Sequence, residues 1–269
     1  MNALLKRLRP SQQRGSKPRC HLLTHGRPNL VAGRLASLIA PYGVVTTDDH
    51  WMPQGFEEVG EAQLHNAPRL LSIDKHGRAL ESWWLAVTNS ASATPNWDLA
   101  GTCTIAGKKG LFLVEAKAHC SELKADDRCG AGNKRNFERI GEAIREANQA
   151  LNKVQPGWNL SSENHYQLCN RFAWSWKLAS RGVPVVLVYL GFLRAGEMRD
   201  PLPDEHSWEM ALRDYAQGIV PDSVWGGELL IDGVPIIPLV RALEIPLDSM
   251  AEPIKNIGAE GRRVPARPY

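Results

Sequence analysis

The chain has 269 residues, 43% hydrophobic and 23% charged, so collagen-like, disordered and coiled-coil classes are poor fits, and length suits one large domain or two small ones. Its longest apolar stretch, Val183 to Leu193, is broken by Pro184 and Gly191; it falls short of the roughly 18 to 20 residues that cross a bilayer, which predicts no membrane partner. The formal net charge is only +3, yet residues 1–47 hold eight Lys or Arg and no Asp or Glu, a composition that suits either a polyanion-binding segment or a solvated terminus.

The opening MNALLKRLRP is basic but lacks an apolar segment followed by a small-residue cleavage site, so no secretory signal is read and a cytoplasmic location is expected. Residues 1–28, polar and punctuated by Pro10, Gly15, Pro18, Gly26 and Pro28, read as a basic arm with order beginning just after it. Leu30, Val31, Leu35, Leu38 and Ile39 predict a helix over Asn29–Ala40, and Leu80, Trp83, Trp84 and Val87 a second over Ala79–Val87. Strand patterns at Leu99–Ile105 and Leu111–Val114 flank a turn at 106–110, which predicts a β-hairpin. The second run is apolar throughout, as a strand covered on both faces would be, and charge follows in Glu115-Ala116-Lys117-Ala118-His119.

A loop at 120–133 leads to a helix over Lys134–Lys153, with Phe137, Ile140, Ile144, Ala147 and Leu151 on one stripe. The segment His165–Arg181 also reads as helix: Leu168, Phe172, Trp176 and Ala179 share one side, and Gln167, Asn170, Arg171 and Trp174 share another. Val183–Leu193 then reads as a buried strand. The tail carries a helical stretch around His206–Gln217 and a hairpin at 227–239 turning on Asp232-Gly233. The expected organisation is the arm, a single α/β domain over residues 29–245 whose core spans about 79–193 with a C-terminal elaboration, and a tail at 246–269. Five cysteines at scattered spacings form no CxxC pair and read as buried or indifferent thiols. No nucleotide-binding glycine loop, helix-turn-helix or zinc module is present.

A hairpin brings its open ends together, so Asp98 before the first strand can converge with Glu115 and Lys117 at the end of the second. Strand alternation puts Glu115 and Lys117 on one side and leaves the Ala116 carbonyl as an extra oxygen. Two carboxylates and a backbone oxygen suit Mg²⁺, with Mn²⁺ expected to substitute, and a neighbouring lysine can orient water or offset charge in phosphodiester hydrolysis.

Pro95-Asn96-Trp97-Asp98 followed by Glu115-Ala116-Lys117 resembles the signature of the PD-(D/E)XK nuclease superfamily. That resemblance implies a restriction-endonuclease-like core: a mixed central sheet flanked by helices, in the order helix, strand, strand, helix, strand. It implies a metal-dependent nuclease whose metal ligands are Asp98 and Glu115 and whose Lys117 assists the attacking water. Gln167 is similar to a glutamine some families place on the following helix, and Glu81 to an acidic residue others place on the first. The match departs from the signature in that Asn96 and Trp97 separate Pro95 from Asp98, and the interval from Lys117 to the next helix is long.

The expected partner is nucleic acid, with DNA favoured over RNA; a homodimer does not follow from the sequence. Arg171 and Asn170, on the Gln167 face, are candidates for phosphate contact, with a surface ion pair as the equal alternative for Arg171. The tryptophans read mainly as core and His119 as structural. A second triplet, Glu122-Leu123-Lys124, lacks the strand context. Three readings compete with hydrolysis: Asp98 as a turn cap with Glu115 and Lys117 as a surface ion pair of little consequence, a non-catalytic nucleic-acid-binding protein built on the same fold, and a protein-interaction role for that fold.

Overall fold

The computed structural model describes residues 4–88 and 92–247. Six strands form one mixed sheet in the order β1-β2-β3-β4-β6-β5. They are β1 (Trp51–Met52), β2 (Leu99–Ile105), β3 (Lys108–Lys117), β4 (Val185–Leu193), β5 (Leu229–Ile231) and β6 (Val234–Glu244). The central pairs β3–β4 and β4–β6 are parallel, and the outer pairs are antiparallel. The six longer helices are α1 (Ser16–Leu23), α2 (Pro28–Ile39), α3 (Arg78–Trp84), α4 (Lys134–Val154), α5 (Tyr166–Ser180) and α6 (Glu205–Ala216). The protein is therefore an α/β structure with helices on both sheet faces.

The β2–β3 hairpin turns on Ala106 and Gly107, both at positive φ (47° and 78°), the conformation a two-residue turn needs to match strand twist. This turn is tighter than the expected 106–110 loop, and β3 is correspondingly longer than its apolar run. Alternation along β3 splits the core. Leu111 and Leu113 face a cluster with residues of α3, α4, α5 and α6, whereas Phe112, Val114 and Ala116 face one with α1 and α2. All nine residues of β4 are buried, as a strand covered on both faces requires. Gly191 of β4 lies opposite Lys117, and a Cβ there would sit 2.6 Å from the Trp208 ring, so α6 can close over the sheet only at a glycine.

Several local expectations need correction. The first 28 residues do not wait for α2 before becoming ordered: α1 packs Cys20 and Leu23 into the core, and Leu5 and Leu8 bury against Phe56. Their basic charge is partly spent internally. Arg19 binds both carboxylate oxygens of Glu197, Lys17 pairs with Glu61 at 2.5 Å, and Arg34 donates to the His25 carbonyl at 2.9 Å. The helix expected over Ala79–Val87 ends at Trp84, because Asn136 of α4 brackets the Val87 backbone like a strand neighbour, accepting from its N–H at 2.7 Å and donating to its carbonyl at 2.9 Å. The tail residues beyond 247 lie outside those described. Among the described residues no helix is long and apolar enough to cross a membrane.

Candidate active site

β3 runs three residues past the end of its pairing with β2, since Leu99 is opposite Val114 while Glu115, Ala116 and Lys117 pair onward with Tyr189, Leu190 and Gly191 of β4. The expected strand end therefore lies inside the sheet. On the β2 side the vacant edge is filled by Asp98, whose Oδ2 accepts the Ala116 N–H at 2.8 Å. A strand residue's N–H and C=O point to the same edge, so the Ala116 carbonyl is turned toward Asp98 as well.

Glu115 and Lys117 share the face that α5 covers, and α5 supplies their partners. Lys117 Nζ donates to Glu115 Oε1 at 2.5 Å and to Gln167 Oε1 at 2.8 Å. Arg171, one turn beyond Gln167, donates through Nε to Glu115 Oε2 at 2.7 Å, and its Nη2 lies 2.6 Å from the same oxygen. Its Nη2 also reaches the Asn96 carbonyl at 2.7 Å, and its Nη1 reaches Asn170 Oδ1 at 3.1 Å. The guanidinium stacks 4.4 Å over Trp97. Glu115 is 1% exposed, Arg171 5% and Lys117 7%. The surface-ion-pair readings of Lys117 and Arg171 are thus both overturned: these charges are buried and hydrogen-bonded, which is what makes a charge tolerable away from water.

This setting separates the two carboxyls. Burial raises the Glu115 pKa, but Arg171 and Lys117 together outweigh it and hold the group ionised, below its ordinary value. Asp98 has no such partner: burial first, then the Glu115 charge, raise it to about 7, against smaller opposing effects from Lys117, the Ala116 N–H and Arg171. Burial also acts against the charged form of Lys117, yet Glu115 and Asp98 more than compensate and keep it an ammonium.

Asp98, Gln167, Asn170 and Arg171 line a cleft of about 470 Å³ together with Glu61 and Asp127. Sequence reasoning missed the last two. Asp127 accepts the Gln167 backbone N–H at 3.0 Å and so caps α5 from a loop 40 residues upstream, a separation at which no local spacing rule applies. Glu61 reaches the cleft from an irregular segment that carries no periodic pattern. Glu81 is not in the cleft; it lies 3.7 Å from His65. His119 pairs with Glu122 at 3.1 Å, and Glu122 accepts the Ala118 N–H at 3.0 Å, so the second triplet caps the chain as it leaves β3. Trp83, Trp84, Trp97, Trp174 and Trp176 are core, as expected.

A hard divalent cation takes oxygen ligands. Among the described residues no three His, Cys, Asp or Glu side chains form a ready-made group for one, so the available set is Asp98, Glu115 and the Ala116 carbonyl. Among the described residues only Oδ2 of Asp98 is engaged, by the Ala116 N–H, and Oδ1 receives no hydrogen bond. Glu115 Oε1 takes one donor, Lys117, and keeps a lone pair, whereas Oε2 takes two from Arg171. These donors fit a divalent ion that leaves the Arg171 contact in place.

No protein family, curated protein or solved structure gives a significant match to the chain.

Proposed function

We infer that the protein is a metal-dependent nuclease with a restriction-endonuclease-like core, hydrolysing phosphodiester bonds of nucleic acid, with DNA favoured over RNA. The observation that carries this reading is the convergence of Asp98, Glu115, Lys117 and Gln167 at the vacant edge of β3 beside an open cleft. Asp98, Glu115 and the Ala116 carbonyl would hold Mg²⁺ or Mn²⁺, which when bound supplies Lewis-acid polarisation of the phosphodiester and a water of lowered pKa. Lys117 is an ammonium, so it serves as a hydrogen-bond donor and positive charge toward the attacking water or the reacting phosphate, and not as the base. Gln167 is a positioning residue that fixes Lys117 Nζ. Arg171 holds Glu115 in one orientation and keeps it ionised.

One observation favours the non-catalytic alternative. With Asp98 ionised, two carboxylates face two cations, Lys117 and Arg171, so the cluster is already neutral without a metal. The deciding experiment incubates the protein with supercoiled plasmid and with single-stranded DNA in EDTA, Mg²⁺ or Mn²⁺, alongside Lys117→Ala. Metal-dependent nicking that disappears in the variant is expected. Cleavage at wild-type rate by the variant would sink the assigned mechanism, and salt-sensitive binding with no metal-dependent cleavage would favour the binding module.

A further inference from the structure

A second cavity of about 470 Å³ opens at the other end of β3 and α5. Leu111 and Val183 wall it on the apolar side, and Ser72, Lys75, His76, His50 and Arg181 face it with polar groups. Leu111 is on the same sheet face as Glu115, so both clefts lie along one side of the molecule. At about 3.3 Å per residue, the interval from Lys109 to Glu115 separates them by roughly 20 Å.

The charge lining this cavity is net positive. Asp48 is the only carboxylate lining it among the described residues, and Lys109, which also lines it, is paired at 2.8 Å with the neighbouring Asp49. Among the described residues neither Lys75 nor Arg181 forms an ion pair, and Arg181 donates through Nη2 to the Lys75 backbone carbonyl at 2.7 Å. His76, on the short π-helical turn Ile73–Gly77, is only 7% exposed. Its Nδ1 is buried with no hydrogen-bond partner, an uncommon state for a buried polar atom, since nearly all such atoms are satisfied. Burial, then the charges of Arg181 and Lys75, hold its pKa below the ordinary value, so both cations act on the ring.

We propose that this cavity binds a phosphate group, held by Lys75 and Arg181 with Ser72 and His76 as neutral donors. A tetrahedral oxyanion accepts several hydrogen bonds at once, and a guanidinium, an ammonium, a hydroxyl and an imidazole N–H supply them. The apolar wall accommodates the organic part to which the phosphate is attached. The inference does not depend on the nuclease reading. The group could belong to a small phosphorylated molecule or to a nucleic-acid backbone crossing both clefts.

The test titrates inorganic phosphate into the full chain in EDTA, following the His76 imidazole proton by NMR, assigned through His76→Gln, and the heat of binding by calorimetry. A saturable shift is expected, with affinity at least about tenfold weaker in a Lys75→Ala/Arg181→Ala variant, as loss of charged hydrogen bonds implies; both substituted positions are exposed, so folding is retained. A shift no different from that caused by chloride, or affinity unchanged in the double variant, would overturn the proposal. Competition then separates the sources: displacement of phosphate by a mononucleotide supports a small ligand, and displacement by an oligonucleotide alone supports a backbone phosphate. Displacement by neither marks an adventitious ion only and overturns the site.

Discussion

The two ends of β3 carry the same kind of contact with opposite consequences. At the hairpin end Lys109 pairs with Asp49 at 2.8 Å; the Asp49 side chain is buried, but the lysine is 68% exposed, and Asp49 has further donors in Thr46 and Thr102. At the other end Lys117 and Arg171 enclose Glu115 with almost no access to water. A pair with one solvated partner is partly screened, and its buried carboxylate keeps other donors; a pair buried on both sides cannot lose either partner without stranding a charge. The chain therefore buries both signs of charge where the sheet opens toward a cleft, and at the turn end buries the carboxylate while its lysine stays in solvent.

That contrast can be sharpened from the largest effect to the smallest. Lys117→Ala should lower metal-dependent cleavage by about 10²-fold or more, the scale on which a group stabilising developing charge acts, measured as the initial nicking rate. Arg171→Ala strands Glu115 and should cost about 3–5 kcal/mol of stability, read from denaturant unfolding; a loss below about 1 kcal/mol would mean that the Glu115 network is not held as described.

Asp98→Asn should stabilise the metal-free protein, and more so at pH 8.5 than at pH 5.5. The folded pKa of Asp98 is raised from 3.8 to about 7, so its contribution to stability is fully present below the unfolded value and is lost as pH rises through about 7. Asparagine keeps an acceptor for the Ala116 N–H without the charge. Thermal unfolding in EDTA at the two pH values checks this, and an equal shift at both would contradict the raised pKa. Lys109→Ala should cost about 1 kcal/mol, less than Arg171→Ala, because the lysine is exposed and the buried Asp49 remains hydrogen-bonded to Thr46 and Thr102.

Much of this site was legible from short-range pattern. Asp98, Glu115 and Lys117 could be brought together because a hairpin is a local structure with a fixed period, and α5 could be placed because its apolar stripe repeats. Arg171 was put on the correct helix face, yet its partner Glu115 lies 56 residues away, and burial of that kind depends on parallel pairing of β3 with β4, which spacing alone does not encode. The same reason hid the inward continuation of Glu115–Lys117 along β4. Helix α1 was missed because only half of its residues, Ser16 to Leu23, are apolar and it is ordered by tertiary partners such as Glu197 and not by an apolar stripe. The central claim, that Asp98 and Glu115 form a divalent-ion site, is tested most directly by calorimetric titration of Mn²⁺ at pH 8 into the wild-type protein and Asp98→Ala. The account predicts one saturable site in the wild type that disappears in the variant; no binding to the wild type, or the same affinity in both, would contradict it.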